Sequence, residues 1–324
     1  MGSIAHQLGF GEESTWGTAV TPTRFLEFTS ESLERRQQIA NSNGIRSGRR
    51  YGGQGRRITR QDAGGTINTE IATTGFGLWF EHLLGSVATV ETVASEAYTH
   101  TFTPGSLTGK SLTIQKGVQK PDGTVQAFTY PGSKLMALDL SIAQDGLLLG
   151  AWDVDSRQEV TGTALASASY SAPRVFTYSE GTLKLDSSPI GSVRSVGSLR
   201  IANNLLTDRV FLGNDGFKSE QTNVPFDELG GNMEVEFQNL TDTYNAFAAD
   251  TALELELEFI GDFLDAGETT RESLTITLAD ARLEGETPKI GGPELVFQNV
   301  PFKGLDPASG DAITIEYVTS DATP

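Results

Sequence analysis

The 324-residue chain has no cysteine and only three histidines, His6, His82 and His100. The first absence excludes disulfides and thiolate metal sites and fits assembly in a reducing cytoplasm. The second leaves few groups that titrate or coordinate metals near neutral pH. No run of 18 apolar residues occurs, so neither a membrane-spanning helix nor a membrane anchor is expected. The opening MGSIAHQLGFGEES lacks the basic and apolar regions of a signal peptide, so none is expected there. Positive charge is scarce as well: 24 Lys and Arg stand against 42 Asp and Glu, a formal net charge of -18. A surface that acidic repels nucleic-acid phosphate, although the same imbalance also keeps ordinary proteins soluble.

Catalytic signatures are missing too. There is no His-Glu-x-x-His, no Gly-x-Ser-x-Gly and no cysteine cluster. GSLTGKS (Gly105–Ser111) imitates a phosphate loop, but it has three residues between its glycines instead of four and leads into a strand pattern. Asp153-Val-Asp155 and Asp306–Asp311 lack the ligand pattern of a calcium-binding EF-hand. Paired carboxylates always occur among so many acids, but no spacing selects a pair for hydrolysis. Neither an enzyme nor a cofactor is expected.

What the chain does contain is period-two alternation. Arg24–Phe28, Lys110–Ile114, Lys134–Ile142, Met233–Phe237, Leu253–Phe259, Glu272–Leu278 and Ala312–Val318 all read as strands. Turns are expected at Pro121-Asp122-Gly123, Pro131-Gly132, Gln144-Asp145-Gly146, Asn214-Asp215-Gly216 and Gly291-Gly292-Pro293. Two helices are expected. One has Thr73 or Thr74 as cap, a stripe of Phe76, Trp79, Phe80, Leu83 and Leu84, and Gly85 as the left-handed stop. The other has Asn239 or Thr241 as cap and a stripe of Leu240, Tyr244, Phe247 and Ala248. Both stripes read as core, and 37% hydrophobic residues with 17 Phe suffice for folding.

An internal repeat organises these elements. Gly64-Gly65 and Gly230-Gly231, each followed by a short strand and an aromatic helix, lie 166 positions apart. Lys110–Ile114 recurs as Glu272–Ile276 at an offset of 162, and Phe25–Leu33 echoes Ser198–Leu206 at 173. Two copies of one α+β unit are therefore expected, residues 1–165 and 166–324, joined near the small, polar segment Thr161–Pro173.

One stretch departs from the acidic background. Between Arg35 and Arg60 lie eight of the chain's sixteen arginines, five glycines (Gly44, Gly48, Gly52, Gly53 and Gly55) and no acid. Clustered Arg, Gly and Tyr can track phosphates and stack bases, so a nucleic-acid arm is one reading. The matching region of the second copy, Leu206–Glu228, is mixed in charge.

Gly9–Arg36, with Glu13-Ser-Thr-Trp-Gly-Thr-Ala19, Pro22-Thr23, a strand and then Ser30-Glu-Ser-Leu33, resembles the opening of phage tail tube proteins (major tail proteins) of long, non-contractile-tailed phages. The Gly-Gly strand followed by an aromatic helix is similar to that family too. The resemblance implies a mainly β (α+β) fold of two tandem tail-tube-like β-sandwich or split-barrel units, each with one flanking α-helix. It implies a structural virion protein, assembled in the host cytoplasm, whose stacked rings form a channel for DNA. Sheets would join edge to edge around each ring, which removes exposed strand edges. Two units per chain imply trimeric, pseudo-hexameric rings, with a homohexamer as the alternative if the second copy decorates the outside. Implied partners are the tape-measure protein and double-stranded DNA in the lumen, without sequence-specific binding, and the tail terminator and distal tail proteins. The basic stretch would be the long hairpin loop that contacts the next ring, with Arg46, Arg49, Arg50, Tyr51, Arg56, Arg57 and Arg60 as its contact residues and the arginines pairing with acids on a neighbouring subunit. Glu254, Glu256, Glu258, Glu234 and Glu236 are candidate lumen-facing acids; solvated outer faces are the equal alternative for them. A carbohydrate-binding or adhesive β-sandwich remains the competing function.

Overall fold

A computed structural model describes residues 4–52, 55–171, 174–224, 227–241, 243–285 and 287–324. Gly53 of the basic stretch, Pro173 of the expected boundary, Pro225 and Phe226 of the second loop and Asp242 of the second helical segment lie outside the described residues. The first half runs β1 (Gln7–Glu12), β2 (Arg24–Leu26), β3 (Ser30–Glu31), β4 (Glu34–Asn41), β5 (Arg56–Glu70), α1 (Gly77–Leu84), β6 (Gly85–Val93), β7 (Ala97–Pro104), β8 (Leu112–Gln119), β9 (Val125–Ile142) and β10 (Leu149–Ser156). The second runs β11 (Gly181–Leu185), β12 (Ser188–Pro189), β13 (Val193–Ala202), β14 (Leu205–Leu206), β15 (Thr222–Asn223), β16 (Glu228–Glu236), α2 (Tyr244–Ala249), β17 (Leu253–Phe263), β18 (Arg271–Leu283), β19 (Phe297–Gly304) and β20 (Ile313–Thr319). The fold is mainly β, and the strand pairings are antiparallel.

Two long strands organise it. β9 pairs with β8 along Val125–Ser133, then with β10 along Lys134–Ser141. β18 repeats the exchange: its first part pairs with β17 and β20, and Ala281–Leu283 pair with β19. The expected turn at Pro131-Gly132 is therefore not a chain reversal. Gly132, at φ +66°, kinks β9 in passage, and its N–H donates to Glu13 Oε1 at 2.9 Å. Alternation on both sides of the kink lets one strand serve two sheets, a use of a bend that period-two patterning does not distinguish from a turn.

Each Gly-Gly pair sits where backbone presses on backbone. Gly64 faces Glu34 of β4 and Asp155 of β10; Gly230 faces Arg200 of β13 and Lys303 of β19. A Cβ on Gly64 would lie 2.6 Å from the Val154 carbonyl oxygen, and one on Gly230 would lie 2.6 Å from that of Phe302. A Cβ on Gly65 or Gly231 would collide with the carbonyl of Ser32 or Ser198. Both pairs thus meet the same crowding on the same two sides. The other two sequence matches do not share this equivalence. Lys110–Ile114 leads into β8, the first strand of its hairpin, whereas Glu272–Ile276 lies in β18, the second strand of its own. The echo of Phe25–Leu33 at offset 173 is seven residues out of step with the glycines.

The core centres on α1, buried except at Glu81. Trp79 packs edge-on against Trp152 at 5.1 Å and Phe10 at 5.5 Å, and Phe80 meets Tyr317 at 5.7 Å. The helix starts later than its caps suggested: Phe76 is the N-cap and no side chain caps it, while Thr73 lies outside and its N–H donates to the Arg174 carbonyl. Several aromatic contacts at about 0.5–1.5 kcal/mol each outweigh a cap worth about 1 kcal/mol. Gly85 does end the helix at φ +99°. α2 begins at Tyr244, with Thr243 in the N-cap position instead of Asn239 or Thr241; Asn239 forms a local turn with Thr241, and Leu240 lies outside the helix, exposed. α2 is half-buried on the flank.

Replacing Gly65 or Gly231 with Ala forces a backbone shift and is expected to cost about 1–3 kcal/mol. Gly52→Ala meets nothing within 4 Å and is expected to change stability little. Chemical denaturation of the three variants checks this.

Candidate functional site: a basic hairpin and the loop clamped beside it

β4 and the start of β5 form a two-stranded ribbon paired from Glu34–Gly64 to Asn41–Arg56 and closed by the Ser42 N–H to Gly55 carbonyl bond. All of β4 and residues 56–59 of β5 are exposed on both faces. Ile39 opposes Ile58, both exposed, and Ile45 and Tyr51 at the tip are exposed as well. A lone ribbon with no buried face is marginal in water, so this one calls for a covering surface.

Its arginines divide into two groups. At the root, Arg36 bridges Asp62 and Asp155, each at 2.8 Å, and Arg60 reaches Asp62 at 3.3 Å. Among the described residues no carboxylate pairs with Arg35, Arg46, Arg49, Arg50, Arg56 or Arg57. Arg35 donates to Gln61, Arg49 to the Gly44 carbonyl and Arg57 to the Arg56 carbonyl, while Arg50 lies over the Tyr51 ring at 5.8 Å. The structure thus gathers Arg46, Arg49, Arg50, Tyr51, Arg56 and Arg57 toward the outer end and leaves Arg60 at the base.

The second loop behaves oppositely. β14 pairs with β15, prolonging the β13–β16 hairpin, but residues 207–221 fold back onto the first half of the chain. Lys218, 1% exposed, donates to both Asp155 oxygens at 2.7 and 2.6 Å. Gln221 donates to the Asp155 carbonyl and carboxylate and accepts from Trp16 Nε1 at 3.0 Å. Lys134 donates to Glu220 and to the Leu107 and Gln221 carbonyls. The Gln61 N–H donates to Gly216 beside the ribbon's root. Burial pushes the Lys218 ammonium below its usual pKa against the pull of Asp155, and Lys134 likewise against Glu220. Burial also works to raise the Glu220 carboxyl, but hydrogen bonds from Lys134 and the Gly109 N–H outweigh it and hold the pKa down.

The sequence pattern singled out none of these clamp residues. The one signal was Asp153-Val-Asp155 on a strand: period two puts both acids on one face of β10, where Asp153 meets Thr66 and Arg200 while the folded-back loop covers Asp155 with Lys218. The tube-like motif at Glu13–Ala19 proves to be a backbone anchor. The Glu13 carboxylate accepts from Ser111 and Thr113 hydroxyls and from the Gly17 and Gly132 N–H groups, 2.7–2.9 Å each. Trp16 beside it faces Arg157 at 5.5 Å.

The candidate acids fall into two sets. Glu254, Glu256 and Glu258 share β17, between β11 and β18. Lys184 of β11 reaches Glu256 at 2.5 Å and Glu258 at 2.8 Å, and those hydrogen bonds, the Glu256 one foremost, raise its pKa. Glu234 and Glu236 share β16, between β13 and β19, with Arg194 at 3.7 Å from Glu234. β16 and β17 are not neighbours. Among the described residues, no three acidic or histidine groups cluster as a metal site would require, and no helix is long and apolar enough to cross a membrane.

Removing Lys218 strands Asp155. Lys218→Met is expected to cost about 3 kcal/mol, the low end for breaking a buried pair because Arg36 remains, as denaturant unfolding would read. A Glu carboxyl with a depressed pKa stabilises the fold above its ordinary value of 4.5 and loses that contribution as pH falls through the folded value. Amide exchange of residues 207–221 is therefore expected to accelerate as pH drops below 4.5, after correction for intrinsic rates, while β17 stays protected.

Comparison with curated proteins gave no match. The sequence pattern of the family described as phage tail tube protein matches residues 3–304, nearly the whole chain. With this extent of match, the mainly β fold and the exposed ribbon belong to a structural, virion-component class of protein: the chain is a member of the phage tail tube protein family.

Proposed function

We propose that this chain polymerises as rings of three copies, each copy supplying two of six like sectors, and that the rings stack through the basic ribbon 34–60 into a tube for DNA. The observation that carries the reading is the edge-to-edge joint inside one chain. β9 pairs with β13, so the run β4-β5-β10-β9-β13-β16-β19 is continuous across the two halves. Each half contributes a Gly-Gly strand, a helix and a long strand that changes sheets, which supports an internal duplication with units at 1–165 and 166–324. The joint argues against the second unit as outside decoration, because a decoration would not continue the sheet.

In this reading the polar face of the continuous run lines the lumen. Asn68, Asp139, Asp153, Arg200 and Glu234 alternate along it with buried neighbours, and Arg200 lies 3.5–3.9 Å from Asp153, Glu228 and Asp139. Glu234 and Glu236 belong to that wall; the β17 acids, partly neutralised by Lys184, face elsewhere. A net acidic wall repels DNA within a Debye length, about 8 Å at physiological salt, so DNA slides without adhering. The tape-measure protein would fill the same lumen before ejection, and terminator and distal tail proteins would cap the two ends.

The ribbon reaches out because its own ring offers it no seat. The second loop docks where Asp155 and Lys134 lie; the like positions in the second unit, by strand pairing, are Lys303 and Arg282. Two cations repel a basic ribbon there, whereas acids on the next ring attract it.

Electron microscopy of concentrated protein is expected to show rings and tubes. Changing Arg49, Arg50, Arg56 and Arg57 to Ser is expected to leave rings that no longer stack; if stacking survives and only DNA binding is lost, the ribbon is a nucleic-acid arm. Glu234→Lys with Glu236→Lys is expected to slow DNA ejection more than the same change at Glu256 and Glu258, and equal rates would overturn the wall assignment.

A further inference from the structure

The ribbon carries one chemically reactive step that its docking role does not use. Asn43-Gly44 is the single Asn-Gly pair in the chain, and it lies just past the last rung of the β4–β5 ladder, Asn41–Arg56. Both residues are exposed. Among the described residues, nothing hydrogen-bonds the Asn43 side-chain amide. The Gly44 N–H donates to the Ser42 hydroxyl at a long 3.3 Å, at the surface. Gly44 has no side chain to shield its nitrogen, and glycine turns through backbone conformations closed to other residues.

Comparable steps elsewhere are held. The nitrogen that would attack the Asn41 side chain belongs to Ser42, and it donates to the Gly55 carbonyl at 3.0 Å. In two of the Asp-Gly turns, the Gly123 and Gly146 N–H groups donate to the Lys120 and Ala143 carbonyls at 2.9 and 3.0 Å. Their ionised aspartates are also poor electrophiles. Charge favours reaction at Asn43 further. Arg49 donates to the Gly44 carbonyl, and Arg46, Arg50, Arg56 and Arg57 of the same hairpin have no carboxylate partner among the described residues. Nearby cations stabilise the anion formed when a backbone N–H loses its proton.

We propose that Asn43 is a self-modifying site that deamidates in the unassembled chain. The Gly44 nitrogen gives its proton to hydroxide and attacks Asn43 Cγ. The N–Cγ bond forms, the Cγ–Nδ2 bond breaks and ammonia leaves, which closes a five-membered succinimide. Water then opens the ring at one of its two carbonyls, leaving aspartate or isoaspartate at position 43. Nothing is oxidised or reduced. Either product places a carboxylate beside Arg49, in a stretch with no acid between Arg35 and Arg60. On the stacking reading, that carboxylate cancels part of the charge the ribbon offers to the next ring, and isoaspartate also lengthens the backbone by one carbon. Modified copies then dock less well, while docking covers the ribbon and spares the copies already in a tube.

The test starts from unassembled full-length chain held in mildly alkaline buffer and digested with trypsin at intervals. One tryptic peptide, Gln37–Arg46, carries both Asn41 and Asn43, so tandem mass spectrometry reads the two sites together. Asn43 is expected to convert about tenfold faster than Asn41 or more, because its attacking nitrogen is free of the ladder. The rate is expected to rise with pH and to fall at high salt, which screens the arginines. Conversion no faster than at Asn41 would overturn the site. Gly44→Val is expected to slow conversion about tenfold, since a β-branched side chain shields and stiffens the backbone; an unchanged rate would overturn the assigned route. These readouts need no assembly, so they stand or fall separately from the stacking reading. Tubes grown from a partly converted pool are expected to hold a smaller modified fraction than the chains left free. Equal fractions would overturn the docking consequence.

Discussion

The arrangement depends on β9 being hydrogen-bonded along both edges in its second half. β10 holds one edge and β13 the other, so the two halves of the chain share backbone ladder instead of a soft side-chain contact. Two conditions make that possible. The kink at Pro131-Gly132, fixed by Glu13, frees the first half of β9 to pair with β8 in the other sheet. The glycine pairs then let β5 and β16 pass between carbonyls of both flanking strands with no side chain to push them apart.

Electrostatics is laid over this frame unevenly. The body is acidic and its buried cations are matched, Lys218 by Asp155 and Lys134 by Glu220. The ribbon is basic, exposed on both faces and, among the described residues, without a carboxylate partner beyond its root. Two hairpins of like position in the two halves have thus taken opposite fates: one is clamped down by a lysine on an aspartate, the other is held away from the body. In the proposed reading, this divergence in charge leaves one docking arm per chain instead of two.

Much of the framework was legible from residues alone because alternation is a strong local signal. The strands at 134–142, 253–259, 272–278 and 312–318, the glycine pairs and the Gly85 helix stop all lie where patterning put them. Other features failed for identifiable reasons. Pro131-Gly132 has the composition of a turn but the function of a bend, and only the partners on either side distinguish the two. The α1 start moved because aromatic packing outweighs a cap. The match of Lys110–Ile114 to Glu272–Ile276 joined strands of different rank in their hairpins, which four-residue identity cannot detect. The basic ribbon was visible as composition, but the clamp was not, since Asp155 and Lys218 are 63 positions apart and meet only through the fold.

The central claim is that the two halves of each chain are two sectors of one closed wall. Native mass analysis of isolated single rings tests it most directly. The account predicts three copies of the 34.7 kDa chain per ring; six copies per ring would contradict it.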